Sequence, residues 1–138
     1  MNSDSIILYS KDSLLSYIMS QEPNWVDGSG LSRYNIFTPK SLVELLHYFY
    51  QTYDEYRLFE LLAIGGVNGT IQNRFTDFPY SVFGKTGSLS NNHNLSGYLL
   101  CKSGKKLIFS FMANHFMVST TQIRKEMDRL ITILYNTY

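Results

Sequence analysis

Phe83-Gly84-Lys85-Thr86-Gly87-Ser88-Leu89-Ser90 places an ammonium, a hydroxyl, a residue with no side chain and a second hydroxyl in succession. The triplet Lys85-Thr86-Gly87 enters from an apolar run and leaves into a polar, turn-rich segment, which reads as one wall of an acyl-transfer site. Gly84-Lys85-Thr86 also matches the tail of a phosphate-binding loop, a motif that needs another Gly five positions before Gly84 and a helix starting at the Lys. That position is Pro79, and Gly87-Ser88-Leu89-Ser90-Asn91-Asn92 is a poor helix start, so nucleotide binding is rejected.

The elements that must position this wall follow from periodicity. Ser3 to Met19, with Ile6, Ile7, Leu14, Leu15, Ile18 and Met19, predicts one helix or two short ones, stopped by Glu22-Pro23. Asp27-Gly28-Ser29-Gly30 predicts a loop. Thr38-Pro39 is a helix entry, an N-cap followed by Pro at the first helical position, and Leu42, Leu45, Leu46, Phe49 and Tyr53 then share a face. A shorter helix is expected to hold Leu58, Leu61 and Leu62 and to end before Gly65-Gly66, followed by an irregular loop to about Tyr80.

From Ser81 the period changes to that of strands. Val82-Phe83 leads into Lys85-Thr86, then Leu95 to Lys102 and Lys106 to Asn114 flank a Ser103-Gly104-Lys105 turn, giving a three-stranded antiparallel meander. Ser119-Thr120-Thr121-Gln122 is a capping-box pattern, and Ile123, Met127, Leu130, Ile131 and Leu134 recur at helical spacing, so the closing helix packs on the sheet. No repeat or linker interrupts the chain. The reading is one α+β unit over residues 1–138.

Composition excludes several classes of function. A chain of 138 residues with 44% hydrophobic content and a net charge of +1 buries one moderate core and carries no electrostatic footprint for nucleic acid or an anionic membrane. Cys101 is the one cysteine, so an internal disulfide is impossible, and its place in an apolar strand predicts burial. His47, His93 and His115 fall in a helix, a polar loop and a strand end, with no i,i+4 partner or cysteine pair, so neither a metal nor any other cofactor is expected. Eleven Tyr and nine Phe sit mostly at core spacing, which makes packing their default role. Met1 to Ser5 lack the charged and apolar regions of a signal peptide, and no apolar run approaches the roughly 20 residues that span a bilayer. A lone chain of this kind is expected to stay in the cytoplasm.

Lys-Thr-Gly is one of three short motifs shared by penicillin-binding proteins and serine β-lactamases, the others being S-x-x-K and an S-x-N-like triplet. Around it, Asp27-Gly28-Ser29-Gly30-Leu31-Ser32-Arg33, Gly66-Val67-Asn68-Gly69-Thr70, Asn73-Arg74-Phe75 and Leu95-Ser96-Gly97-Tyr98 occur in one family's order. With these segments the chain resembles the C-terminal part of the D-alanyl-D-alanine carboxypeptidase C family, low-molecular-mass penicillin-binding proteins that trim peptidoglycan. The similarity runs from about Trp25 to the C-terminus.

The resemblance implies a penicillin-binding-protein-like fold whose five-stranded sheet takes two strands from an N-terminal portion. It also implies two-step covalent catalysis, in which a serine attacks the carbonyl between two D-alanines. Lys85 would favour the substrate's terminal carboxylate, and Thr86 would add a hydrogen bond to it. Gly87 would let a peptide or β-lactam lie against the strand. The Ser88 N–H would form half of the oxyanion hole. Arg33 is a candidate substrate contact at the cleft rim, whereas Asp27, Ser29 and Ser32 are expected to serve turn geometry.

The nucleophile is missing from this pattern. The one S-x-x-K string, Ser103-Gly104-Lys105-Lys106, falls in a predicted hairpin turn, and Ser90-Asn91-Asn92 follows the Lys-Thr-Gly strand too closely to fold back opposite it. The chain alone is therefore expected to be catalytically incomplete, with the signal sequence and first catalytic elements upstream in an exported parent protein. An uncovered sheet edge is expected to pair with that missing part or with a second copy. Two other functions fit the same wall: a non-catalytic module that binds D-Ala-D-Ala peptides, and a serine β-lactamase or esterase of the same fold.

Overall fold

Thr38 accepts a hydrogen bond from the Ser41 backbone N–H at 3.1 Å, and the helix it caps runs from Pro39 to Thr52. The entry signal read from the sequence thus operates through the threonine hydroxyl. The structure, a computed structural model, describes residues 3–138, and its chain contacts group into two compact units, one up to Thr52 and one over Tyr53–Tyr138.

The first unit holds α1 (Ser3–Ser13), a 3-10 turn at Leu15–Tyr17 and α2 (Pro39–Thr52). Ser41 is fully buried and donates from its hydroxyl to the Gln21 carbonyl at 2.8 Å, tying α2 to the segment before it. The Asp27 loop closes on itself. One Asp27 carboxylate oxygen accepts from the Ser29 N–H, the Ser29 hydroxyl and the Gly30 N–H, which supports the turn role read for these residues.

The second unit contains α3 (Glu55–Glu60), β1 (Ala63–Ile64), β2 (Val82–Leu89), β3 (Asn92–Leu100), β4 (Lys106–Asn114) and α4 (Thr120–Thr137). The sheet is antiparallel in the order β1-β2-β3-β4. Several details differ from expectation, among them β3, which runs from Asn92 to Leu100 and not from Leu95 to Lys102, because its pairing with β2 extends to the Ser90-Asn91 tip. Helix α3 ends at Glu60, leaving Leu61 and Leu62 outside it, and Ala63–Ile64 forms a fourth strand opposite Gly84 and Phe83. The left-handed glycine is Gly66, at φ +72°, and it turns the chain after β1 rather than capping α3.

The sheet's two faces follow from register. Val82, Gly84, Thr86 and Ser88 stand across from Leu99, Gly97, Leu95 and His93, so these residues share one face. On that face Val82, Leu95, Leu99 and Phe109 pack with Met127 and Ile131 of α4 and with Ile71, Phe75 and Phe78 from the loop after β1. Fully burying side chains of this size stabilises the fold by about 1.5–3 kcal/mol each, so this core carries the second unit. On the opposite face Phe59 of α3 stacks on Phe83 at 4.2 Å between ring centroids and leans on Tyr98.

Helix α4 begins with the capping box read from the sequence: Ser119 accepts from the Gln122 N–H, and the Gln122 side chain accepts from the Ser119 N–H. Arg74 holds the long loop to α4 through two hydrogen bonds, at 2.9 and 2.6 Å, onto one Asp128 oxygen. Cys101 is buried as expected, and burial pushes its thiol pKa upward against the opposing pull of Lys105.

Candidate functional site

Lys85, Thr86, Gly87 and Ser88 lie within β2, on an extended backbone and not in a helix. Lys85, Gly87 and Ser88 are exposed, and Thr86 is half-buried. The strand directs them because β1 pairs with it only as far as Gly84. Among the described residues no strand lies beside Lys85 to Leu89 on that side, so β2 changes from an inner strand to an open edge at the start of the Lys-Thr-Gly triplet.

Which backbone groups reach that edge is set by alternation. The Val82 carbonyl accepts from the Gly65 N–H on the β1 side, whereas the Ser81 carbonyl accepts from the Leu100 N–H on the β3 side. The β2–β3 register continues without a bulge to Leu89 and Asn92. Thr86 and Ser88 therefore present their N–H and C=O groups outward, while Lys85 and Gly87 spend theirs on β3. The Lys85 ammonium donates to the outward Thr86 carbonyl at 2.7 Å. The Thr86 hydroxyl donates to the Thr70 hydroxyl at 2.8 Å, which brings a residue from the loop after β1 to the same edge.

The glycines of this region differ in what they are for. A Cβ on Gly97 would meet the Phe83 carbonyl oxygen at 1.9 Å, so the fold itself demands that glycine, whereas one on Gly84 would meet the end of the Leu95 side chain, Cδ1, at 2.9 Å. A Cβ on Gly87 would meet only Asn94 Nδ2, at 3.9 Å, an ordinary contact. The bare surface at Gly87 is not required by packing.

His93 corrects the sequence reading, which placed it in a polar loop. It lies in β3 in phase with Leu95 and Leu99, is 1% exposed, and its Nδ1 is 2.7 Å from the Ser88 hydroxyl. Among the described residues its buried Nε2 has no hydrogen-bond partner, nor has Oδ1 of the neighbouring Asn94. Burial pushes the imidazole below its usual pKa; Arg124 and then Arg74 act in the same direction, and Asp128 opposes them. In the unfolded chain the group protonates near about 6.5, so the unfolded state takes up protons first. Stability conferred by the neutral ring is complete above that value and is lost as pH falls below it. Urea titrations at pH 7 and pH 5 should show this loss in the wild type and a flatter response in His93→Phe; equal responses would refute it.

The two other motif strings are turns. Ser90 and Asn91 form the tip between β2 and β3, with Asn91 at φ 59°, and Ser103-Gly104 forms the tip between β3 and β4, with Gly104 at φ +89°. Neither places a serine and a lysine on one helical turn. Arg33 belongs to the first unit, in the turn after the Asp27 loop. His47 and His115 are both exposed.

The chain matches the D-Ala-D-Ala carboxypeptidase 3 (S13) family over residues 12–135. It belongs to that family. S13 replaces the carboxypeptidase C family named from the motif order, a correction the Lys-Thr-Gly triplet could not supply because penicillin-binding proteins share it widely. This S13 chain is 33% identical over 116 residues to D-alanyl-D-alanine carboxypeptidase DacB of Haemophilus influenzae, covering 81% of this chain and 24% of that protein. It is 32% identical over 118 residues to penicillin-sensitive carboxypeptidase A of Dictyostelium discoideum, covering 79% of this chain and 23% of the relative.

The fold agrees with that family. A crystal structure of Haemophilus influenzae penicillin binding protein 4 (dacB) superposes with a TM-score of 0.75 at 28% identity, covering 96% of this chain and 30% of that one. The same protein complexed with a β-lactam gives a TM-score of 0.69 at 31% identity, over 80% of this chain and 28% of that one. The S13 chain thus spans about a quarter of the length of the curated relatives it matches. Among the described residues no helix is long and apolar enough to cross a membrane.

Proposed function

We propose that this chain is the C-terminal part of a serine-type D-Ala-D-Ala carboxypeptidase or endopeptidase that trims peptidoglycan stem peptides outside the cytoplasmic membrane. It supplies the Lys-Thr-Gly wall and not the nucleophile. The observation that carries this reading is the open edge of β2, where the outward groups of Thr86 and Ser88 stand beside an exposed ammonium.

A peptide laid along that edge pairs with the Thr86 and Ser88 main chain as an added strand. Its terminal carboxylate takes Lys85 as counter-ion in place of the Thr86 carbonyl. The Thr86 and Thr70 hydroxyls, already 2.8 Å apart, can both turn to donate to the same anion. Gly87 leaves room for the ligand to approach the strand. The Ser88 N–H supplies one donor to the oxyanion that forms as the acyl carbonyl is attacked, a contribution of about 3 kcal/mol to the barrier. Arg33 is kept as a candidate substrate contact on the family resemblance.

The attacking serine and its lysine belong to the N-terminal part of the same domain; without it, an uncovered sheet edge drives self-association. Incubating the chain with a fluorescent penicillin should give no covalent adduct by mass, while an N-acylated D-Ala-D-Ala peptide binds reversibly. Stoichiometric acylation would overturn the assignment of the nucleophile elsewhere. A chain that binds neither ligand would overturn the whole reading.

A further inference from the structure

Ser88 and His93 face one another across β2 and β3 at a position where the two main chains exchange no hydrogen bonds. The backbone of Ser88 points to the open edge, so the ladder bonds flanking it are those of Gly87 with Asn94 and of Leu89 with Asn92. The amide that carries the Ser88 N–H joins it to Gly87, the residue whose backbone is freest to rotate. It also lies next to the Ser90-Asn91 hairpin tip, at the end of a strand whose outer side is unpaired there, where a ladder frays first. Backbone pairing therefore holds this peptide plane through the Gly87 carbonyl, which faces Asn94, and leaves its Ser88 end without a ladder bond. The direct link between Ser88 and the neighbouring strand is the 2.7 Å bond from its hydroxyl to His93 Nδ1.

The other end of that link is rigid. His93 is 1% exposed and sits on the sheet face that α4 covers, in phase with the fully buried Leu95 and Leu99. Among the described residues its Nε2 makes no bond, so the ring's whole hydrogen-bonding role is directed at Ser88. A leucine or phenylalanine there would satisfy the core without leaving a polar atom orphaned. The orphaned nitrogen is the cost of keeping a polar anchor under Ser88.

We propose that His93 is a positioning residue for the ligand-binding edge: by holding the Ser88 hydroxyl inward through Nδ1, it fixes the Gly87–Ser88 peptide plane with its N–H directed at the acyl oxygen of a bound D-Ala-D-Ala peptide. This assignment rests on the peptide-binding reading above. It places a residue of β3, remote from the open edge, in control of the amide that the edge presents.

The test uses the full chain and an N-acylated D-Ala-D-Ala peptide, with affinity and the Ser88 amide resonance as readouts. In the wild type the peptide should shift the Ser88 amide. His93→Phe should weaken binding about five- to tenfold, the scale of one hydrogen bond, and abolish that shift. His93→Asn, whose amide can occupy the place of Nδ1, should restore most of both. Ser88→Ala, which leaves the buried ring untouched, should lose the amide response even if His93→Phe fails to fold.

Wild-type affinity in a folded His93→Phe would overturn the proposal. So would equal losses in the Phe and Asn variants, since a packing role would not distinguish them. An unchanged amide shift in Ser88→Ala would overturn it too. If the wild type binds and Lys85→Ala does not, any of these results refutes His93 alone. Absence of wild-type binding refutes the peptide reading and this inference together.

Discussion

Replacing Gly97 with alanine should cost at least about 3 kcal/mol of stability, a large share of the roughly 5–15 kcal/mol that holds a domain of this kind together. Gly97 faces Gly84 across β2 and β3. An added Cβ would stand 1.9 Å from the Phe83 carbonyl oxygen and 2.7 Å from Gly84 Cα. Both obstacles are backbone, so no rotamer change can relieve them. The strands must separate at the point where β1, β2 and β3 are all paired, which loosens the start of the Lys-Thr-Gly segment as well. Urea denaturation measures the loss directly, with Gly87→Ala as the control that should stay within about 0.5 kcal/mol of wild type. A Gly97→Ala protein within 1 kcal/mol of wild type would show that the register at Gly84 is not as tight as described.

Lys85→Ala should weaken binding of an N-acylated D-Ala-D-Ala peptide by about ten- to a hundredfold, the range expected when a hydrogen bond between charged partners is removed. The fold should be unaffected, because Lys85 is exposed and its ammonium donates to the carbonyl of the adjacent Thr86. Amidating the peptide's C-terminus should lower affinity for the wild type and leave that of Lys85→Ala nearly unchanged, since the partner charge is then already gone. Wild-type affinity should also fall with added salt, and the variant's should not. Calorimetric titration of both proteins with both peptides gives the complete cycle. Equal affinities across the four combinations would remove the carboxylate from the account and leave β2 as a strand edge without charge recognition.

Much of the fold could be read because its signals are local. Thr38-Pro39 and Ser119 with Gln122 start helices through side chains a few residues from the groups they satisfy, and both helices begin where those residues stand. Strand β4 runs from Lys106 to Asn114, the span its composition and turn residues marked. The short strand β1 could not be read in this way. Two residues carry no periodicity, and Ala63–Ile64 is extended because Phe83 and Gly84 offer it a partner some twenty positions later. Helix α3 stops short for the same reason, since Leu61 and Leu62 lead into that pairing.

At the candidate site, Lys85 to Ser88 were singled out because their types are uncommon in that order, whereas His93 and Thr70 were not recognised as their neighbours. A signal for His93 existed: it shares the two-residue period of Leu95, Gly97 and Leu99, but its flanking asparagines read as a loop. Thr70 stood only within the Gly66-Val67-Asn68-Gly69-Thr70 family segment, with nothing to tie it to Thr86, because their 2.8 Å contact joins residues sixteen positions apart.

From sequence alone came the chemistry available, an ammonium, a hydroxyl and a bare backbone on a strand. Tertiary structure decided that this strand loses its neighbour after Gly84, and so which amides are left to meet a ligand. The division has one physical cause. Residue types and local turns are properties of adjacent positions, but whether a strand is an inner one or an edge depends on where another segment ends its pairing.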